Sequence, residues 1–356
     1  MKIALLTDTH FGARNDSPAF SKYFYKFYDE IFFPYLKEHN ITNLIHLGDI
    51  VDRRKFINFK TSHDFRKKFM LKLWEEKIDT HIIIGNHDTY YKNTNDVNAV
   101  DELLTTYDGI HEPHIYTNPE VVEFDGMRIL MLPWICADNR VQSMQALQQE
   151  KADLICGHLE IQGFTMHNGM VSQGGLDTKL FKRFEKVYSG HFHHKSDDGH
   201  IHYLGSPYEM VWNDYKDPKG FHILDTETRE LERIVNPFTM FEKIYYNDEK
   251  ENYDNFDYTP YQDKIIKIIV DKKTDYYMFD QFVDNFYKKI NVTDIKVIED
   301  FSDLDASTVQ DDIIEKGEDT LTLMNNYVDQ LSTQLDKQRL KTFLRTLYTE
   351  AGDIEL

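Results

Sequence analysis

Cysteine is nearly absent: Cys136 and Cys156 are the two in 356 residues. Each adjoins apolar, strand-like sequence and neither has zinc-site spacing, which excludes a disulfide framework and a thiolate metal site. Two core thiols are the expectation. Long apolar runs are also missing. No stretch approaches the roughly 20 residues of a membrane span, and Met1-Lys2-Ile3 runs straight into a strand pattern instead of a signal peptide. The expected setting is soluble, reducing and cytoplasmic, with no membrane partner. Positive charge is the third scarcity. Lysine and arginine number 41 against 61 aspartates and glutamates, a formal net charge of −20. Such a surface repels nucleic acid and anionic membranes. Attraction to a DNA substrate would have to come from bound metal, local basic loops or a partner subunit. Internal repeats and low-complexity tracts are lacking as well.

What is present is ample core material, 41% hydrophobic and 14% aromatic residues, and a length that suits one large domain with smaller attachments. Over residues 1–236 short apolar runs alternate with amphipathic segments, the pattern of an α/β layered domain. Strands are predicted at 2–6, 44–47, 81–84, 127–132, 154–156 and 187–188. Helices are predicted at 18–39, opened by a Ser17 cap with Pro18 in the first turn, at 61–77 and at 98–107. Segments 201–204, 221–224 and 231–235 read as antiparallel strands, with Thr226-Glu227-Thr228 turning between the last two. From about Asn236 the texture shifts toward Tyr, Asn and Asp. Strand 265–270, helix 276–290 and strand 295–298 then make a βαβ unit, a separate small domain over 237–300. An acidic linker follows at 301–319, then a helical tail at 320–352. In the tail Leu321, Met324, Val328, Leu331 and Leu335 are spaced 3, 4, 3 and 4, and Leu340, Phe343, Leu344, Leu347 and Tyr348 form a second stripe. Packing on the chain itself and docking onto a partner both remain open for these stripes.

The chemistry lies in one repeated pattern. Five times an apolar run ends in a small or hydroxyl residue followed at once by a metal-ligand residue: Thr7-Asp8-Thr9-His10, Gly48-Asp49, Gly85-Asn86-His87-Asp88, Gly157-His158 and Gly190-His191-Phe192-His193. Sites in α/β sheets form beyond the carboxyl ends of strands, so the pattern sends Asp8, His10, Asp49, Asn86, His158, His191 and His193 to one edge. A single histidine in a loop is ordinarily polar surface; five correctly placed motifs are not. Seven ligands exceed one ion's needs and suit two divalent ions sharing a carboxylate. Mixed carboxylate, imidazole and amide oxygen fits manganese, iron or zinc better than magnesium alone.

In order, Asp8-x-His10, Gly48-Asp49-x-x-Asp52, Gly85-Asn86-His87-Asp88, Gly157-His158 and Gly190-His191-x-His193 resemble the signature of calcineurin-like metallophosphoesterases. The resemblance spans about residues 1–195 and implies a two-sheet sandwich flanked by helices. It also implies one metal site of Asp8, His10, Asp49 and His193 and another of Asp49, Asn86, His158 and His191, with Asp49 bridging and manganese as the metal. His87 would be no ligand; it would stabilise the transition state or protonate the leaving oxygen, oriented by Asp88.

Gly48-Asp49-Ile50-Val51-Asp52-Arg53 also resembles the protein serine/threonine phosphatases, although this chain has Ile84 and Asp88 where those enzymes usually have Arg and Glu. A phosphatase acting on phosphoprotein or small phosphoesters is therefore the alternative. Tyr203-Leu204-Gly205-Ser206-Pro207 and Pro218-Lys219-Gly220-Phe221 look like the nuclease subunit of the SbcCD complex and its counterparts. The βαβ unit resembles that family's capping domain, and the compact length is most like the bacteriophage recombination endonuclease subunit. This implies a manganese-dependent DNA exonuclease/endonuclease for break processing, recombination and repair, in the host cytoplasm if bacteriophage-encoded. It further implies a homodimer through the N-terminal helices and a coiled-coil ATPase partner bound by the tail, with Leu321, Met324, Val328, Leu331, Phe343, Leu344 and Leu347 as contacts. Some members carry His where Asp52 stands, so Asp52 is expected to orient a ligand from behind. Arg53, Arg54, Lys55, Tyr90, Tyr91 and Lys92 are candidates for phosphate and base contact; a solvated basic loop is an equal reading of them. A non-catalytic scaffold is hard to reconcile with a complete ligand set.

Overall fold

In the first strand, Lys2–Leu6, alternation sets Ala4 and Leu6 on one face and Ile3 and Leu5 on the other, and all four are buried. A strand apolar on both faces needs a layer on each side. The computed structural model describes residues 1–104, 113–167 and 170–299, with positions 328, 337, 340 and 341. It supplies those layers. One six-stranded sheet runs Leu231–Val235, Gly220–Asp225, Lys2–Leu6, Asn43–His46, Asp79–Ile83, His114–Tyr116. From Lys2–Leu6 onward its strands are parallel. The second sheet runs Ser196–Asp197, Ile201–Tyr203, Lys186–Gly190, Leu154–His158, Met127–Leu132, Glu120–Phe124, parallel in the middle with an antiparallel pair at each edge.

Ile3, Leu5, Ile45, Ile83, Met131, Cys156 and Tyr188 fill the space between the sheets. Outside the first sheet, helical segments 18–38 and 59–75 cover an aromatic cluster that includes Phe24, Phe27, Tyr28, Phe32, Phe65 and Phe69. Arg140–Gln149 and Thr178–Phe181 cover the second sheet. The expected two-sheet α/β sandwich flanked by helices is thus the observed class, and both cysteines are buried and unpaired.

Several elements differ from expectation. Ile201–Tyr203 was expected in an antiparallel set with 221–224 and 231–235. It lies instead in the other sheet, parallel to Lys186–Gly190, and its antiparallel neighbour is the two-residue strand Ser196–Asp197. The other two strands pair antiparallel as expected. His114–Tyr116, Glu120–Phe124 and Phe241–Asn247 are strands that pattern alone did not mark, all three at sheet edges with partly exposed residues. Helix Arg140–Gln149 escaped because it buries only Ser143, Ala146 and Leu147, too small a stripe to read. The helix expected at 61–77 begins at Phe59, because the Asn58 side chain caps it by accepting from Lys60 N at 2.8 Å.

A third sheet of parallel strands Phe241–Asn247, Ile265–Lys272 and Asp294–Ile298 carries helix Tyr276–Lys289 on one face, around Tyr246, Tyr258, Ile268, Phe279, Phe282 and Phe286. Segment 301–319 and the tail candidates Leu321, Met324, Leu331, Phe343, Leu344 and Leu347 lie outside the described residues; Val328 is helical and buried. No helix among the described residues is long and apolar enough to cross a membrane.

Glu209 ties the third sheet to the main body. Its buried carboxylate accepts from Met240 N at 2.6 Å and Phe241 N at 2.9 Å. Burial pushes its pKa from 4.5 up to about 7, against the pull of those two donors. The unfolded chain loses this proton at lower pH than the folded one, so the group's contribution falls as pH rises from 4.5 to 7. Glu209→Gln keeps an acceptor for both N–H groups and removes the titration. Relative to the parent, the variant is expected to gain about 1–3 kcal/mol between pH 4.5 and pH 7.5 in urea unfolding. Parallel pH profiles would show that Glu209 is not the titrating group.

Candidate metal centre

The five ligand-bearing segments follow strands Lys2–Leu6, Asn43–His46 and Asp79–Ile83 of one sheet and strands Leu154–His158 and Lys186–Gly190 of the other. The two sheets deliver their carboxyl ends to a common edge. Turning each side chain inward strains the backbone: Asp8, His10, Asp49 and His191 have φ of 52°, 42°, 55° and 86°, a region that residues with a Cβ rarely occupy. Glycine is needed where two turns cross. Gly48 has φ 93°, and a Cβ there would sit 2.6 Å from His158 Nδ1 and 2.8 Å from the Gly85 backbone. A Cβ on Gly85 would run into the Asp49 carboxylate and amide.

All seven candidate ligands come together. Asp8, His10 and His193 form one group, and Asp49, His158 and His191 the other. Asp49 stands between them, Oδ2 lying 3.7 Å from His10 Nε2 and 3.2 Å from His158 Nε2. In the first group His10 and His193 face each other, Nε2 to Nε2, at 3.0 Å. Asp8 Oδ1 is 3.9 and 3.7 Å from those same nitrogens. In the second, Asn86 Oδ1 is 3.0 Å from His158 Nε2 and 2.9 Å from His191 Nδ1.

The electrostatics suit divalent cations. Burial, reinforced by His87 and His193, drives His10 well below its usual pKa. Burial likewise takes His191 down to about 3. Asp49 stays well below the ordinary carboxylate range although burial opposes it, because His158 and His87 lie close. Burial also opposes protonation of His158, yet Asp49 beside it holds its pKa at about 9. The pocket therefore demands positive charge beside Asp49 while keeping neutral imidazole lone pairs around it, the donor set a divalent ion takes.

Supporting contacts fix these ligands. His158 Nδ1 donates to Leu47 O at 2.7 Å, which turns Nε2 toward Asp49. Asp52 Oδ1 lies 3.7 Å from His10 Nδ1, beyond hydrogen-bond distance. Both Asp8 oxygens take the His191 amide, at 3.2 and 3.1 Å. Lys219, wholly buried, donates to His193 O at 2.8 Å and pairs with Asp214 and Asp217 at 2.6 and 2.9 Å. Tyr208 OH donates to Thr9 O at 2.5 Å, between two ligands in sequence. Asp214, Asp217 and Tyr208 carried no local signal, and Lys219 stood out only within the resemblance.

The contacts of His87 and Asp88 correct one expectation. The His87 amide donates to Asp49 Oδ1 at 2.8 Å, and its ring Nδ1 donates to the backbone carbonyl of Asp52 at 2.6 Å. A carbonyl, rather than the Asp88 carboxylate, meets the orienting nitrogen. Asp88 is fully buried and accepts four backbone N–H groups, from Asp49 (2.9 Å), Ile50 (2.8 Å), Val51 (3.2 Å) and Gly85 (2.9 Å). It anchors the two loops that carry Asp49 and Asn86.

Beside the ligands opens a cavity of about 700 Å³ whose lining includes His10, His87, His193, Arg14, Arg53, Arg54, Lys55, Phe56 and Lys92. Four of the six substrate-contact candidates thus line it. Tyr90 and Tyr91 stand exposed nearby, the Tyr90 ring 5.6 Å from Lys55 Nζ. Arg53 also pairs with Asp16 and lies 4.6 Å over the Phe56 ring.

The family described as Calcineurin-like phosphoesterase matches residues 1–195. Exonuclease subunit 1 of Enterobacteria phage T4 is 34% identical over 320 residues, which are 89% of this chain and 90% of that protein. A nuclease component of the SbcCD complex of Staphylococcus saprophyticus is 27% identical over 107 residues, 26% of this chain and 27% of that one. An archaeal phosphodiesterase of known structure, 18% identical, covers 66% of this chain and 100% of its own at a TM-score of 0.33.

Gly85→Ala tests the close approach of the two loops. The added methyl displaces Asp49, and the expected result is about 10–100-fold weaker binding of divalent metal, with the far-ultraviolet circular dichroism unchanged. Metal affinity equal to the parent's would mean that the approach is not needed.

Proposed function

The chain belongs to the calcineurin-like phosphoesterases, metal-dependent hydrolases, and from that premise we propose that it is the DNA-cleaving subunit of a complex that processes double-strand breaks for recombination and repair. The observation that carries this reading is a buried seven-ligand centre divided by Asp49, opening onto a basic cavity in a chain of net charge −20. Arg14, Arg53, Arg54, Lys55 and Lys92 concentrate cations where a polyanionic strand would reach the ligands. The likeness to a phage exonuclease subunit over nine-tenths of both chains favours DNA over phosphoprotein.

Asp8, His10, Asp49 and His193 would hold one divalent ion, and Asp49, Asn86, His158 and His191 the other. Manganese is the proposed metal. When bound, two such ions supply positive charge against the phosphate oxygens and acidity to the attacking water. His87 does the rest of the proton work. With Nδ1–H committed to the Asp52 carbonyl, Nε2 is the atom that carries a proton to the departing sugar oxygen. The His87 amide bond to Asp49 holds that ring beside the ligands.

The relatives' names as parts of larger complexes support a partner, for which we propose a coiled-coil ATPase of the SbcC type, docked by segment 320–352. Residues 237–300 are proposed as a capping unit and 301–319 as the linker. A homodimer through the N-terminal helices completes the proposed assembly.

Linear and single-stranded DNA are expected to be cut with manganese present and left intact with chelator. His87→Ala should slow cleavage by about 10²–10⁴-fold while binding the same amount of manganese. Undiminished cleavage by that variant would remove His87 from the mechanism. A chain ending at residue 319 is expected to lose pull-down of the ATPase subunit; retention at full strength would place the docking surface elsewhere.

A further inference from the structure

At the end of the first sheet opposite the metal centre, the parallel strands Asp79–Ile83 and His114–Tyr116 bring three more metal-ligand side chains together. Register puts His81 directly beside His114, and the two-residue period of a strand sets Asp79 on the face of His81. The two imidazoles stack with centroids 4.5 Å apart. Asp79 reaches both, Oδ2 lying 3.5 Å from His81 Nε2 and Oδ1 3.3 Å from His114 Nε2. Ligand atoms about 2.0–2.1 Å from a tetrahedral zinc ion stand about 3.3 Å apart; both Asp79–imidazole distances are of that order, and one ligand atom from each of the three residues lies within 4.8 Å of the others.

An ion pair accounts for the contact between His114 and Asp79, both more than half exposed. It does not account for His81. That side chain is 5% exposed, and its Nε2 is buried without a hydrogen-bond partner. Burial pulls its pKa down to about 4, so the ring is neutral near pH 7. Its Nδ1 lies 2.7 Å from the Tyr116 hydroxyl. With Nδ1–H donating to that oxygen, Nε2 presents a lone pair toward Asp79 and His114. A second ring nitrogen held in this way is the usual support of a metal-bound imidazole.

We propose that Asp79, His81 and His114 form a separate divalent-metal site, of zinc or nickel type, apart from the catalytic centre. Two imidazoles and one carboxylate are the donors those ions prefer, and the exposed side leaves the fourth position to water. From His81 to Asn86 the strand advances on the order of 15 Å at 3.3 Å per residue, so the ion is structural. It clamps edge strand His114–Tyr116 to its neighbour.

Equilibrium dialysis of the full chain against zinc, followed by elemental analysis, tests this. His114→Ala and Asp79→Asn are each expected to hold one zinc fewer than the parent, a difference read whatever the catalytic centre retains. Hydrolysis of a simple phosphodiester by His114→Ala should match the parent's. His39→Ala, which removes an exposed imidazole elsewhere, should keep the parent's stoichiometry. Parent-like zinc content in His114→Ala, or an equal loss in His39→Ala, overturns the proposal.

Discussion

Four backbone N–H groups from two loops meet on the Asp88 carboxylate, three from residues 49–51 and one from Gly85. Each loop carries a candidate ligand, Asp49 or Asn86, and the backbone is left-handed at Asp49 and crowded at Gly85. Hydrogen bonds contribute about 0.5–1.5 kcal/mol each, and four together are enough to offset the strain at Asp49, typically about 1–3 kcal/mol. Burial and the neighbouring Asp49 push Asp88 up to about 7, and the amide donors work against that rise. The same crossing brings His87 to Asp49 and turns its ring onto the Asp52 carbonyl. The setting of the candidate ligands Asp49 and Asn86 and of the His87 ring thus rests on one buried carboxylate.

The aromatic core reaches the site by a second route. Tyr208 stacks on Phe24 at 3.8 Å and donates to Thr9 O, so the packing of helix Pro18–Phe27 sets the position of the loop between Asp8 and His10. Lys219 does the same for His193 from the other side, its charge neutralised by Asp214 and Asp217. A buried ammonium is costly unless paired and hydrogen-bonded; here it meets both conditions and holds a backbone that a loop alone would leave free. The preorganisation that metal chemistry requires is therefore built by contacts far apart in sequence.

Charge follows the same logic. The chain is acidic overall, yet the cavity beside the ligands gathers arginine and lysine from segments 14, 53–55 and 92. Repulsion by most of the surface and attraction at one cavity would together confine a bound polyanion to the place where the candidate ligands are.

The ligand motifs were legible because each is local. A strand's apolar run, the residue that ends it and the ligand that follows are contiguous, and strands of an α/β sheet send such ends to one edge. The same locality made the βαβ pattern of 265–298 readable. The family resemblance made Asp88 the expected partner of His87; its carboxylate is taken instead by amides up to 39 residues away. The edge strands, the parallel setting of Ile201–Tyr203, the Lys219 cluster and the pairing of His81 with His114 share that character. Their side chains satisfy partners that only folding brings near, and a buried polar group is defined by those partners and not by its neighbours in the chain. Sequence by itself determined which candidate ligands come together and which strands present them. Tertiary structure alone decided what holds those groups in place, because the cost of burying a charge or straining a turn is met by donors from other segments.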